Sequence, residues 1–358
     1  MKKDTLKKNK NEVYVIAEIG QNHNGDMNIC KKLIDQLVVY SYDEITGERL
    51  NTINAIKLTK RDMTEELTHD GMVKEYKGRN SFGKTYGEHR EFLELSYEQH
   101  CEISDYVRSK GVDFIDTLCS PKTVDLVKMT NIDKIKIASR DLTNIPLLNK
   151  ISKTKNNVII STGMSGESEI DDALNILDNG EREISILHCL SQYPAEYSRL
   201  NLNSIKKLQE KYGSRYVIGY SDHSIGVHIP LAAVALGAKI IEKHVTLDKT
   251  MRGTDQAGSA EPHEMKTLLH NIRTFEKSLG KKQIYKDDST DLASLKLERS
   301  LATKKNMCAG DIIKINDIHM ISPGYGMKWS DVEKIVGKRM KINVEKNVII
   351  EKDMIINE

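Results

Sequence analysis

The chain has 358 residues, 54 of them Lys or Arg and 52 Asp or Glu, for a formal charge of +2. So even a balance excludes a whole-chain field that would draw nucleic acid or an anionic membrane, and the length suits one large α/β domain with a small second one. The five cysteines are scattered without CxxC spacing and read as reduced thiols of a cytoplasmic protein, not as a disulfide frame or a structural zinc site.

Residues 1 to 12 are basic but lack the apolar run of a secretory signal, and no stretch approaches the roughly 18 apolar residues of a membrane span. They read as a soluble tail. From residue 13 onward, short β-branched runs alternate with amphipathic helical patterns. The strand candidates are 13 to 19, 54 to 59, 113 to 119, 134 to 139, 157 to 162, 184 to 189, 216 to 221 and 238 to 246. Ser96 and Gln99 form a capping box ahead of a helix that stops at Gly111, and Leu202, Ile205, Leu208 and Tyr212 mark the apolar face of another. Eight βα units over residues 13 to 280 predict a (β/α)8 TIM barrel, with a doubly wound sheet as the rival. Two long connections, 40 to 53 and 60 to 95, interrupt the regularity, and long loops of this kind often serve as lids or binding loops. A charged stretch, 281 to 295, reads as a linker. Beyond it, residues 296 to 358 predict a small β-rich domain with an internal pseudo-repeat: Ile312, Ile313 and Ile318 match Ile349, Ile350 and Ile355, and Gly310 and Asn347 both suit a left-handed turn.

In such a barrel the C-terminal strand ends build the active site. Here they supply Glu18, Lys57, Thr117, Lys136 with Ser139, Ser161, Ser191, Ser221 with His223, and Glu242 with His244. One polar strand end is commonly just a satisfied cap; eight in a row point to a functional mouth. Lys57 lies between Ile56 and Leu58, in a sheet whose faces are normally both apolar. An ammonium there implies a negative partner. With Lys136, Ser139 and the Ser161-Thr162-Gly163 turn nearby, that partner is a phosphate or else Glu18 or Asp141. Lys134, at the strand entrance, reads as solvated. His223 and His244, with Glu18, Glu242 and Asp255 at hand, suit a divalent metal with open positions, or general acid/base work without one. Asp248, Arg252, Gly253 and Asp255 form a substrate loop after the eighth strand.

Seven motifs in order carry a resemblance: AEIGQNHNGD (17 to 26), NSFGKTYGEHREFLELS (80 to 96), KIKIASRD (134 to 141), ISTGM (160 to 164), HCLSQYP (188 to 194), GYSDHSIG (219 to 226) and EKHVTLDKTMRGTDQAGSAEP (242 to 262). Together they resemble the sialic acid synthase family, which condenses phosphoenolpyruvate with an N-acylated aminohexose and ends in an antifreeze-like (SAF) domain. The resemblance implies a homodimer whose SAF domain covers the partner barrel, and it makes His223 and His244 the Mn²⁺ or Mg²⁺ ligands. It sets Lys57, Thr117, Lys136, Ser139, Ser161, Ser191 and Ser221 on phosphoenolpyruvate. Glu18, Tyr193, Asp255 and the loop around Asn80 and Tyr86 fall near the sugar, while Asp141 stands where many bacterial members have Glu. Glu18, Lys57, Lys136 and Asp141 are the catalytic candidates, and Glu242 joins the substrate contacts. Ser322-Pro323-Gly324 replaces the Arg-Pro-Gly of many bacterial relatives, and GKTYGEH resembles the animal enzymes that use a 6-phosphorylated sugar. The nonulosonic acid made and the acceptor's phosphate state stay open. Two other readings remain beside this one: a Schiff-base aldolase with Lys136 as nucleophile, and a catalytically silent carbohydrate-binding protein.

Overall fold

The computed structural model describes residues 12–50 and 52–356. The expected tail lies outside them except for Glu12. The chain divides into two compact units, Met1–Leu279 and Gly280–Glu358.

The first unit is a closed barrel of eight parallel strands: β1 (Tyr14–Gly20), β2 (Ala55–Lys60), β3 (Asp113–Leu118), β4 (Lys134–Ile137), β5 (Asn157–Ser161), β6 (Ile184–Cys189), β7 (Val217–Asp222) and β8 (Ile240–His244). β1 pairs with both β2 and β8, which closes the ring and excludes the doubly wound sheet. Alternation along each strand sets what the barrel encloses. Ile16, Ala55, Ile115, Ile159, Leu187 and Ile240 point inward and form a buried apolar plug, separate from the layer between strands and helices. Two residues further along the same strands stand Glu18, Lys57, Thr117, Ser161, Cys189 and Glu242. The plug is therefore the dry floor of a polar layer. Lys134 lies below it, and contrary to expectation it is not solvated: its Nζ pairs with Glu183 at 2.8 Å and its side chain is 13% exposed.

The helix Tyr97–Ser109 starts on the expected capping box, with Ser96 Oγ accepting from Gln99 N and Gln99 Oε1 accepting from Ser96 N. Ile205, Leu208 and Tyr212 are buried on the helix Ser204–Tyr212, as their spacing requires. The two long connections differ in place. Residues 40 to 53 include a small hairpin, Ser41–Tyr42 with Arg49–Leu50, whose Asp43 and Glu48 pair with Lys277. The hairpin leads from a helix into the start of β2, so it belongs to the face opposite the mouth and is no lid. Residues 60 to 95 follow β2 and so belong to the mouth; they fold into short helices, the last of them Tyr86–Leu93 capped by Thr85 and Glu88.

In the second unit, Ser300–Thr303 pairs antiparallel with Ile318–Ile321 around a core that includes Leu301, Ile313, Ile318, Ile350 and Ile355. Gly310 and Asn347 both adopt positive φ, +93° and +66°. The two halves of the pseudo-repeat thus turn alike and bury matching isoleucines, except that Ile312 is exposed where Ile349 is buried. The stretch expected as a linker is not bare chain, since it runs into the helix Asp291–Leu297.

Candidate active site

One cavity of about 300 Å³ opens at the C-terminal ends of the strands. All the strand-end candidates line it, together with Tyr193 and Asp255.

At its floor, Lys57 Nζ lies 2.8 Å from Glu18 Oε2, donates to Thr117 Oγ1 at 2.8 Å, and stands 3.6 Å from Glu242 Oε1. Lys136 Nζ is 3.6 Å from that same Glu242 oxygen, which accepts from Ser221 Oγ at 3.1 Å. Of the three partners left open for Lys57, phosphate, Glu18 and Asp141, the protein itself supplies Glu18. Lys136 differs: its ammonium makes no hydrogen bond among the described residues, so three donors remain for an anion. Burial pushes the Glu18 carboxyl up to about 7 although Lys57 pulls the other way. Burial acts on Glu242 too, but Lys136 and Lys57 outweigh it and hold that carboxyl below the ordinary value. Two neighbouring carboxyls pushed apart in this way suit separate duties, one exchanging a proton near neutrality and the other staying ionised.

Beside Lys136, Gly163 N donates to Ser139 Oγ at 3.0 Å. A methyl group on Gly163 would meet Ser191 Oγ at 2.4 Å and both Ser139 Oγ and Cys189 Sγ at 3.0 Å. Only glycine lets these hydroxyls converge. Ser161 Oγ and Glu242 Oε2 are buried there without protein partners among the described residues, which leaves them free to bond a polar ligand or water in the cavity.

On the other side, the His223 and His244 rings lie with centroids 5.3 Å apart. His223 Nδ1 donates to Leu190 O at 2.7 Å, a tautomer that leaves the lone pair on Nε2. His244 Nδ1 is buried and unpartnered. Unprotonated, two imidazoles so placed offer free nitrogens that fit a divalent ion. Among the described residues no cluster of three or more His, Cys, Asp or Glu is arranged for a metal. The pair therefore offers an incomplete donor set that leaves positions for other ligands. Tyr193 packs its ring 3.9 Å from that of His223 and meets His244 edge-on at 5.5 Å.

Three candidates are not on the wall. Asp141 ends the single turn Ser139–Asp141, which carries it away from Ser139; there its carboxylate accepts from Arg140 Nε at 3.2 Å, and it is Arg140 that lines the cavity. Asn80 is exposed on the long connection. Tyr86 stands behind Arg90, whose Nε donates to its hydroxyl at 2.9 Å. In the other direction, Thr59 and Arg61 line the cavity and were legible, since they continue the inward phase of Lys57 in steps of two. Gln21, Arg90, Arg140 and Thr254 also line it, and no periodicity marks them. The amides of the first turn serve neighbouring loops: Asn22 Nδ2 donates to Val245 O and Ser259 Oγ, and Asn24 Nδ2 to Arg252 O.

Two family models match the chain, the NeuB family over residues 50–284 and the SAF domain over residues 298–356. An N,N'-diacetyllegionaminic acid synthase of Campylobacter jejuni is 34% identical over 340 residues, 94% of this chain and 98% of its own length. An N-acetylneuraminate-9-phosphate synthase of Homo sapiens is 30% identical over 347 residues, 96% of this chain and 93% of its own. A crystal structure of an N-acetylneuraminic acid synthetase from Leptospira borgpetersenii, in complex with citrate, superposes with a TM-score of 0.65 at 32% identity, covering 79% of this chain and 90% of that one.

Proposed function

The chain belongs to the NeuB family, and from that membership we propose that it is a nonulosonic acid synthase, condensing phosphoenolpyruvate with an N-acylated mannosamine-type sugar and releasing phosphate. The observation that carries this reading is Lys136, an ammonium with unused donors beside a glycine turn on which Ser139 and Ser191 converge.

The phosphate and carboxylate of phosphoenolpyruvate take the Lys136 and Lys57 side, where the serines gathered around Gly163 supply short donors. His223 and His244 would hold a divalent ion, which when bound supplies Lewis acidity to the sugar's open-chain aldehyde. C3 of phosphoenolpyruvate forms the new bond to that carbonyl carbon, the aldehyde oxygen takes a proton, and C2 acquires cationic character. Glu242, ionised and fixed by Ser221, faces that developing charge at no cost in reorganisation. Water adds at C2, its proton passes to a base, and the C2–O bond breaks to release phosphate. Glu18, with its carboxyl near 7, is the group suited to exchange these protons.

Incubating the purified protein with phosphoenolpyruvate ¹⁸O-labelled at the bridging oxygen and a panel of N-acylated hexosamines tests the reading. Label leaving with inorganic phosphate, in step with formation of a nine-carbon ketoacid, is expected. Label retained in the ketoacid, or no consumption with any sugar, would overturn it. The cradle has its own test. Gly163→Ala should keep the fold, because the new methyl displaces only hydroxyls and a thiol, yet lower phosphoenolpyruvate affinity by about tenfold or more. Titration calorimetry giving wild-type affinity would remove the turn from the binding site.

A further inference from the structure

Behind the histidine pair lies an ion pair that the reaction does not touch. Lys243 and Asp222 face each other in the register of β8 and β7. Ser221, His223, Glu242 and His244 line the cavity, so Asp222 and Lys243, which alternate with them, turn to the outer side of the barrel wall, and neither lines the cavity. The Lys243 ammonium donates to Asp222 Oδ2 at 2.7 Å, with side chains 1% and 0% exposed.

Both groups use their remaining capacity on one short turn. Asp222 Oδ1 accepts from Ser224 N at 3.1 Å and from Tyr220 Oη at 3.0 Å, while Lys243 Nζ also donates to Ser224 O. The N–H and the C=O of Ser224 are thus held by opposite members of the same pair, and His223 is the residue enclosed between the two anchored positions. From another side Ala195 N donates to His223 O at 2.9 Å. His244 follows Lys243 directly, and its carbonyl accepts from Ala260 N at 2.8 Å. One charge pair therefore joins the two backbone segments that carry the imidazoles. Packing alone does not call for charges here, because burying two ions is costly and apolar residues of similar volume fill such a place as well or better. What apolar residues cannot supply is the hold on the N–H and C=O of Ser224, and fixing register is the best-attested use of a buried pair.

We propose that Asp222 and Lys243 are a positioning pair for the two histidines: they set the spacing and direction of the imidazole rings, and affinity for a divalent ion depends on them. The proposal rests on the metal reading of His223 and His244 given above. A site with so few protein donors needs each ring aimed before the ion arrives. His244 Nδ1 has no partner among the described residues that would aim its ring, which leaves that task to the backbone and to the edge of Tyr193.

The test uses the full chain as the double variant Asp222→Leu/Lys243→Met, which removes both charges and keeps an apolar wall, with Asp222→Asn beside it as an isosteric single change in case the double variant does not fold. Thermal unfolding should leave the double variant close to wild type, since an apolar pair replaces an ion pair without stranding a charge. Calorimetry should show phosphoenolpyruvate affinity unchanged, because Lys136 and the Gly163 turn lie on other strands. Mn²⁺ affinity, read by electron paramagnetic resonance, should fall by about 10- to 100-fold in either variant, as for other groups that orient metal ligands. Crystals grown without metal should show the ring centroids displaced from their 5.3 Å separation by about 1 Å. Wild-type Mn²⁺ affinity in a folded variant, or unmoved rings, would overturn the proposal, as would equal losses of Mn²⁺ and phosphoenolpyruvate binding, which would mark a general distortion of the barrel mouth. Failure of the metal reading is distinct: the wild type itself would then bind no Mn²⁺, and the ring positions alone would decide whether the pair aims the histidines.

Discussion

Lys57→Met is expected to fold and to bind phosphoenolpyruvate about 100-fold more weakly or worse. Lys57 is the link between the two buried carboxyls, 2.8 Å from Glu18 and 3.6 Å from Glu242. Removing one member of a buried pair ordinarily destabilises by about 3–5 kcal/mol, because the other charge is left without compensation. Here the cost has an outlet. The Glu18 carboxyl already titrates near 7 and becomes neutral by taking one proton once the ammonium is gone. Met also keeps the length and apolar stem that fill the layer above Ala55 and Ile115. What it does not restore is the cation beside the phosphate cradle, and a charge-assisted contact of this kind contributes about 1.5–3 kcal/mol, more where water is excluded. Circular dichroism should show native secondary structure, and calorimetry should show the lost affinity. Unchanged affinity in a folded Lys57→Met protein would mean that Lys57 serves only its neighbouring carboxylates.

Much of this floor was legible because barrel strands impose a strict phase. Once Lys57 is read as inward, Thr59 and Arg61 follow in steps of two, and the plug residues Ala55 and Ile115 fall where the same rule puts them. The rim obeys no such rule. Arg90 reaches the cavity from a helix that follows a long connection, and it points there because Gln21 and Tyr86 hold it, two contacts 69 and 4 residues away in the chain. Asp141 illustrates the reverse. It follows Ser139 by two residues, which in a strand would share its face, but the chain there leaves the strand for a single helical turn, and the face is lost. The hairpin at 41 to 50 was read only as a long loop, because length does not say which end of the barrel a connection occupies. Position after a helix and before a strand does.

The last expectation concerns the two imidazoles. Chelation should abolish turnover, Mn²⁺ should restore it, and His244→Ala should lose bound metal together with activity. With His223 and His244 as the ligands, and no cluster of three or more His, Cys, Asp or Glu arranged for a metal among the described residues, deleting one ring leaves a single imidazole nitrogen. A single imidazole donor does not retain a divalent ion against water, so metal content by mass spectrometry should fall to background in His244→Ala even where the fold is intact. The activity lost should be large, several kcal/mol of barrier or roughly a thousandfold or more in rate. The competing chemistry predicts the opposite pattern. Burial, with Lys57 adding to it, holds the Lys136 ammonium below its ordinary value, which is also what an amine nucleophile requires. A Schiff-base enzyme needs no ion, works in chelator, and is trapped on Lys136 by borohydride in the presence of its ketoacid. Yet Lys136 faces Glu242 at 3.6 Å, and that carboxylate, held ionised, favours the ammonium over the free amine. Full turnover in chelator with a borohydride-trapped Lys136 would transfer the reaction to the aldolase. Turnover lost in chelator and regained with Mn²⁺, with no trapped lysine, would leave Lys136 as a counter-charge and the histidine pair as the metal site.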